Sequence, residues 1–483
     1  MIKNDRQYRI TKTQLRAFEE AIRELPNAKV PAKTDPALVE VQQRALESQR
    51  DELIADIQEY EALLNGTVSS FVVEDFAELP VMLIKARIAL GLTQKELAER
   101  LDLKEQQVQR WEANDYFGAS IATLRQVMKA LGVETRDEFY IPNEQLNVET
   151  FLSNLARSGL PKEFVLSRLL PSSIAASFQE SEKLRPGLRE LLRAASTVSR
   201  IYGAQVSQLM SLEVPALSLG SVAAARFKWP GRHKASPMVT AYTVYAHYLA
   251  GIVESCLEEN SSHELSVDYH EMHRLLTKAG EPVTFQNVIN LLWDCGVLVL
   301  PLKDAGEFHG AVWKIRKHFV IVLKQNTPLE SRWLYDSLHE GGHIASGHVS
   351  DDTSVIEEGE ISPELRSKQE EEANEWAEDV IFDGHSDDIE EACKRACGGK
   401  LQRLKAVLPE VARQFNVNLG SLANHLAYRL ASEGKNWWGA AHNLQQTEVE
   451  PFSIAREALF ARINLQRLNG LDRDLLMRAL SED

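Results

Sequence analysis

His339-Glu340-Gly341-Gly342-His343 is the stretch of this 483-residue chain with the sharpest chemical meaning. On a helix, positions four apart share one face, so His339 and His343 can reach a single metal ion. Glu340 then stands where a general base would take a proton from a water activated by that metal. Leu334, Leu338 and Ile344 continue an apolar stripe, which predicts a helix running through the motif. A third ligand is available downstream in Glu370-Glu371-Glu372-Ala373-Asn374-Glu375-Trp376-Ala377. Read as a second helix, this segment places Glu370, Asn374 and Ala377 on one face with Ala373 beside them. Two histidines and one carboxylate leave the fourth position of zinc open, the pattern of a catalytic rather than a structural site. The expected site is therefore zinc on His339, His343 and Glu370, with Glu340 as the catalytic base. Glu371 is the nearest rival ligand, and His348 and His309 suit supporting roles better than ligation. Gly341 and Gly342 run against this design, since each costs a helix interior roughly 0.8–1.0 kcal/mol relative to Ala. They imply either the close approach of another backbone or of substrate, or a softened site.

A second constellation lies at residues 79–133. Leu79–Leu90 is an apolar-periodic helix closed by Gly91. Thr93-Gln94-Lys95-Glu96 is a capping box that opens the next helix, to Leu101. The turn Asp102-Leu103-Lys104 leads into Glu105–Glu112, and Ser120 to Leu131 forms a further helix ended by Gly132. This is a helix-turn-helix with its supporting helices. Ala98, Leu103, Val108 and Trp111 fall where the crossing helices must pack. Gln106, Gln107, Gln109 and Arg110 then point outward, and Gln and Arg are the side chains that read adenine and guanine in the major groove. Gln94, at a helix start, suits a phosphate or base contact. The segment carries eight Lys/Arg against six Asp/Glu.

Stepping outward, a chain this long must hold several domains. With 44% hydrophobic and 26% charged residues it reads as soluble and globular. It has neither a membrane span nor a signal peptide, so the expected location is cytoplasmic. Four cysteines argue against a disulfide framework, and Cys393 and Cys397 read as ordinary buried thiols. The net charge of −16 is unevenly spread: residues 351–391 hold 17 acidic residues against Arg366 and Lys368. That run reads as a solvated face or loop, part of it a lid over the metal.

Five segments follow. Residues 1–70 form a helical hairpin suited to dimerisation or to capping the next domain. Residues 71–145 are the helix-turn-helix domain. Residues 146–282 are helical, with a linker near 214–237 that carries Arg226, Lys228, Arg232 and Lys234, and with a Tyr242-Tyr245-Tyr248 stripe read as core. Residues 283–443 hold the metal motif, and 444–483 are terminal helices. Strand character is confined to Gly296–Leu302 and to Val312–Ile315 and Phe319–Leu323, the latter two an antiparallel pair. The expected fold class is mainly α with a small antiparallel sheet (α+β): a helix-turn-helix domain plus a zincin-like metallopeptidase domain.

Leu92-Thr93-Gln94-Lys95-Glu96-Leu97-Ala98 and Val108-Gln109-Arg110-Trp111-Glu112 resemble the Xre/Cro-type helix-turn-helix family, and the hairpin before them loosely resembles antitoxins of the HigA type. From about Val283 to Glu433 the chain resembles the ImmA/IrrE family of zinc metallopeptidases. The carrying residues are Trp293–Val297, Phe308–Ala311, Val320–Leu323, Arg332–Leu334, the HExxH stretch and Glu370–Ala377. That resemblance implies zinc held by His339, His343 and Glu370, with Glu340 as base. Two positions depart from the family pattern, the glycines inside HExxH and Val380-Ile381-Phe382-Asp383 after the second motif. The resemblances together imply a regulator that binds operator DNA and controls its own operon or cleaves a repressor or partner protein; the N-terminal hairpin adds the expectation of a homodimer. The setting they suggest is stress, phage response or a toxin–antitoxin system. The alternative is a non-proteolytic repressor or antitoxin whose zincin fold serves partner binding or sensing.

Overall fold

The computed structural model describes residues 1–24, 36–65, 73, 76–135, 140–141, 145–179, 187–215, 217, 237–257, 265–277, 280–304, 308–349, 354–358, 368–445 and 450–481. The basic residues 226–234 of the expected linker lie outside the described residues. The chain divides into two compact units, Met1–Ile141 and Pro142–Asp483.

The first unit is all helical. α1 (Asp5–Glu24) and α2 (Pro36–Leu64) form the hairpin. α3 (Leu79–Ala89) begins with Pro80 in its first turn, where the missing N–H costs nothing, and Gly91 ends it at φ +66°. Thr93 and Glu96 form the expected reciprocal capping box that starts α4 (Gln94–Arg100). Asp102 adopts φ +55°, a left-handed turn that an aspartate tolerates, and α5 (Glu105–Ala113) follows. Ser120 caps α6 (Ile121–Leu131), and Gly132 closes it at φ +71°. One core joins Ile57, Tyr60 and Leu63 of α2 to Leu83 and Ile84 of α3, Leu97 of α4, Val108 of α5 and Val127 of α6. The hairpin is therefore built into the same core as the helix-turn-helix.

The second unit shares one core from Val148 to Leu480. α7 (Val148–Arg157), α8 (Ser172–Gln179), α9 (Leu188–Tyr202) and α10 (Pro237–Ser255) share this core, in which Phe164 packs on the buried rings of Tyr242 and Tyr245 of α10. The tyrosine stripe is core, as its spacing suggested. Asp304 ties these helices to the sheet by accepting from Arg168 and from the Tyr242 hydroxyl, each at 2.5 Å. α11 (Tyr269–Leu276) and α12 (Phe285–Asp294) lead into the sheet strands β1 (Val297–Leu302), β2 (Phe308–Ile315) and β3 (His318–Lys324). They are followed by α13 (Glu330–Ala345), β4 (Ser354–Glu358) and α14 (Lys368–Phe382). α15 (Ser386–Cys397), α16 (Leu401–Gln414) and α17 (Leu419–Ser432) come next, then α18 (Pro451–Phe460) and α19 (Gly470–Ala479). The terminal helices belong to this core: Phe452 of α18 packs edge-on to Trp333, and Arg478 of α19 donates to the Leu166 carbonyl at 2.7 Å. Cys393 and Cys397 are buried free thiols on α15.

The sheet differs from the sequence reading in two respects. Its order is β1-β3-β2-β4, and β1 pairs parallel with β3, so the sheet is mixed rather than antiparallel. The expected β2–β3 pair is antiparallel, with Val312 opposite Ile321. β2 occupies the far side of β3, which leaves β1 to run alongside β3 in the same direction. The signature was the unbroken apolar run Val297-Leu298-Val299-Leu300-Pro301-Leu302, buried at every position as parallel strands are. The second difference is β4, which lies inside the acidic run read as loop and pairs antiparallel with β2. No helix among the described residues is long and apolar enough to cross a membrane.

Candidate metal centre and DNA-binding surface

α13 and α14 lie against each other and bring His339, His343 and Glu370 together, all buried. The Nε2 atoms of His339 and His343 are 3.2 Å apart. Glu370 Oε2 is 3.4 Å from the first, and its Oε1 is 3.6 Å from the second. Zinc ligands at about 2.0–2.1 Å in tetrahedral array stand about 3.3–3.4 Å from one another. The two imidazole nitrogens have the spacing of two zinc ligands, and one Glu370 oxygen approaches each of them, so the donor set suits a zinc ion. Among the described residues they are the cluster suited to a metal. Glu371, the rival, is exposed on α14, and the side chain of His309 lies outside the described residues.

The outer hydrogen bonds orient both rings. His339 Nδ1 lies 3.0 Å from Asn374 Oδ1, which also accepts from the Tyr335 hydroxyl at 2.6 Å. An amide oxygen only accepts, so His339 donates from Nδ1 and keeps the lone pair of Nε2. On the other ligand, Glu372 Oε2 accepts from His348 Nε2 at 2.9 Å, which leaves His348 Nδ1 to accept from His343 Nδ1 at 2.9 Å. His343 is thereby also left with an unprotonated Nε2 facing the site. Such outer partners fix tautomer and ring plane in metal sites. Burial depresses the His343 pKa below the ordinary imidazole value, against the pull of Glu370, and the facing His339 adds to the depression. Burial also opposes ionisation of Glu370, yet the two imidazoles hold its carboxyl well below the usual range. A divalent cation here needs both Nε2 lone pairs and an ionised Glu370.

The two helix-breaking glycines have separate explanations. A Cβ on Gly342 would stand 2.9 Å from the Ala373 carbonyl oxygen and 3.0 Å from its Cα, so only glycine lets α13 approach α14 this closely. A Cβ on Gly341 would meet Trp376 at 3.5 Å and Leu292 at 3.7 Å, ordinary contacts. Gly342→Ala is accordingly expected to destabilise the second unit, since overpacking of about 1–3 kcal/mol outweighs the gain in helix propensity. Gly341→Ala should leave it unchanged or stabilise it by up to about 1 kcal/mol. Denaturant titration of both variants checks this, and equal effects would contradict the backbone-contact explanation.

Glu340 is fully buried on the same helix. Gly310, on β2 beside the register shift opposite β4, faces it: a Cβ there would fall 2.3 Å from Glu340 Oε1. The strand thus leaves room for this carboxylate only because residue 310 is glycine. α14 is in turn anchored from behind. His425 of α17 contacts Glu378 of α14 at 3.5 Å and Glu390 of α15 at 3.0 Å. With Arg429, it holds the Glu390 carboxyl down to about 2.

On the first unit, Gln106, Gln109 and Arg110 are exposed on α5, as a groove-reading face requires, while Gln107 is half-buried. Gln109 is braced by Glu105, donating to its carboxylate at 2.8 Å. Gln94 is half-buried and donates to Glu112 Oε2 at 2.8 Å, so it braces α4 against α5 as well as facing the helix start. Sequence reasoning missed what lies beneath. Arg87 of α3 makes a two-pronged ion pair with Glu112 of α5, at 2.6 and 2.7 Å, with both side chains almost wholly buried. Arg87 also donates to the carbonyls of Leu92 and Lys3. An arginine on a helix whose only other charge is Lys85 was the available signal.

Residues 83–137 match the family model HTH_3, described as helix-turn-helix. This segment is a DNA-binding helix-turn-helix domain of the kind found in transcriptional regulators. No curated protein and no solved structure matches the chain, so the reading of the second unit rests on its own geometry.

Proposed function

We propose that the chain is a transcriptional regulator whose second unit is a zinc-dependent peptidase. The observation that carries this reading is the buried convergence of His339, His343 and Glu370, with both imidazoles held in the tautomer that turns a lone pair inward. Zinc, when bound, would polarise a scissile carbonyl and make water acidic enough to be a nucleophile near neutral pH. Glu340 takes the proton of the attacking water and returns it to the departing amine. Burial beside β2 keeps its carboxylate away from bulk solvent. Asn374, Tyr335, His348 and Glu372 keep the ligands in position. On DNA, Gln106, Gln109 and Arg110 read base edges, while Gln94 secures the helix that crosses the backbone. The two activities in one chain suit a regulator that controls its own operon and is relieved by cleavage of itself or of a partner repressor. A toxin–antitoxin or phage-response setting fits this arrangement.

Glu340→Gln tests it. The variant should retain zinc and operator binding yet lose cleavage of the chain or of a co-expressed helix-turn-helix repressor, followed by immunoblot with a promoter reporter. Normal derepression by Glu340→Gln would transfer the function to partner docking without turnover.

A further inference from the structure

We infer that α1 is a second DNA-contacting element, which lays a stripe of arginines along the phosphate backbone beside the groove read by α5. The inference rests on the DNA-binding reading of the first unit and extends its footprint. The protein is strongly acidic overall, yet residues 1–18 hold Lys3, Arg6, Arg9, Lys12 and Arg16 against Asp5 alone. Two of these cations are already used. Lys3 reaches Asp115 at 2.8 Å and the Glu112 carbonyl at 2.6 Å, and Lys12 pairs with Glu61 at 2.9 Å. Arg6, Arg9 and Arg16 are exposed and form no ion pair among the described residues.

Their spacing is not random. At 3.6 residues per turn, Arg6, Arg9, Thr13 and Arg16 fall within about 80° of one helical face. Tyr8 and Leu15, which pack on the core, lie on the other side. The stripe rises about 15 Å from Arg6 to Arg16, long enough to meet several phosphates of one strand. Its position is the second observation. The first turn of α1 borders a cleft of about 550 Å³ that residues of the helix-turn-helix also line. Arg6 and Gln7 line it together with Thr93, Lys95 and Gln109. In a helix-turn-helix complex the start of the first motif helix meets the backbone while the recognition helix enters the groove. A phosphate held near Thr93 and Lys95 is thus next to Arg6, and the stripe continues away from it. The cleft places the arginine stripe beside the recognition surface, with Asp5 and Glu105 among its lining residues. The core that fuses α2 to α3 keeps α1 from moving independently of that face.

The test uses the full-length chain and a fluorescently labelled, mixed-sequence DNA duplex, with affinity measured by anisotropy across a range of potassium chloride. Each phosphate contact contributes about 0.9 to the slope of log affinity against log salt. The triple variant Arg6→Gln/Arg9→Gln/Arg16→Gln should lower that slope by about 2–3 and weaken binding by at least about tenfold at low salt. The triple Arg→Lys variant should keep the slope, which separates lost charge from lost structure. Wild-type slope in the Gln variant, with the wild-type chain binding normally, overturns this inference alone. No binding by the wild-type chain to this duplex or to its own promoter fragment overturns the DNA-binding reading and the inference with it.

Discussion

Purified protein is expected to hold about one zinc per chain, and His343→Ala to hold none after dialysis, as read by elemental mass spectrometry. The site has three protein donors spaced 3.2–3.6 Å apart, so removing one leaves two, too few to compete with water for the ion. Loss of an outer partner is milder. His348→Ala removes the acceptor that fixes the His343 tautomer and should weaken zinc by about 10–100-fold, without abolishing it, in a chelator competition. The ordering matters more than either value. A merely structural role for His348 would lower thermal stability but leave the chelator midpoint of the folded protein where it was. Acid should release the metal, because proton and zinc compete for the Nε2 lone pairs. Wild-type protein that binds no zinc, or His343→Ala that binds it equally well, would remove the foundation of the peptidase reading.

What could be read ahead of the structure follows from the range of the interactions involved. The capping box, the Asp102 turn and the Gly132 stop are local, set by residues within four positions of each other, and they lie where periodicity and cap chemistry placed them. The three candidate ligands were found from two such local patterns, and the structure brings the two helices together. What escaped notice depends on contacts between distant segments. Asn374 was placed on the face of Glu370, but that its amide receives both Tyr335 and His339 requires knowing how α13 meets α14. The same close approach explains Gly342, which looked like a defect when only helix propensity was considered. The parallel pairing of β1 and the presence of β4 are likewise properties of the assembled sheet: an acidic strand at its edge resembles a loop until its partner is known.

The second large effect is expected where a charge is buried without any catalytic purpose. Glu112→Ala should destabilise the first unit by about 3–5 kcal/mol, because it leaves the Arg87 guanidinium buried and unpaired. Exposed pairs on the same unit, such as Lys95 with Glu99 at 3.9 Å, should contribute at most about 1 kcal/mol. The contrast lies in desolvation: Arg87 is 3% exposed and Glu112 not at all, so neither charge can be rescued by water when its partner is lost. The loss also frees Gln94, whose amide donates to the same carboxylate, and so loosens α4 against the recognition helix. Since the full chain has two units, hydrogen exchange of α3–α5 peptides is the suitable readout, and a fall in protection on the order of 10²-fold or more corresponds to the lower end of this range. Replacing both partners, Arg87→Met with Glu112→Leu, should recover much of the stability, since an apolar pair needs no desolvated charge. It should not recover DNA affinity, because Gln94 remains without the carboxylate that positions it. Stability restored together with DNA binding would mean that the ion pair holds the fold but does not align the surface that reads DNA.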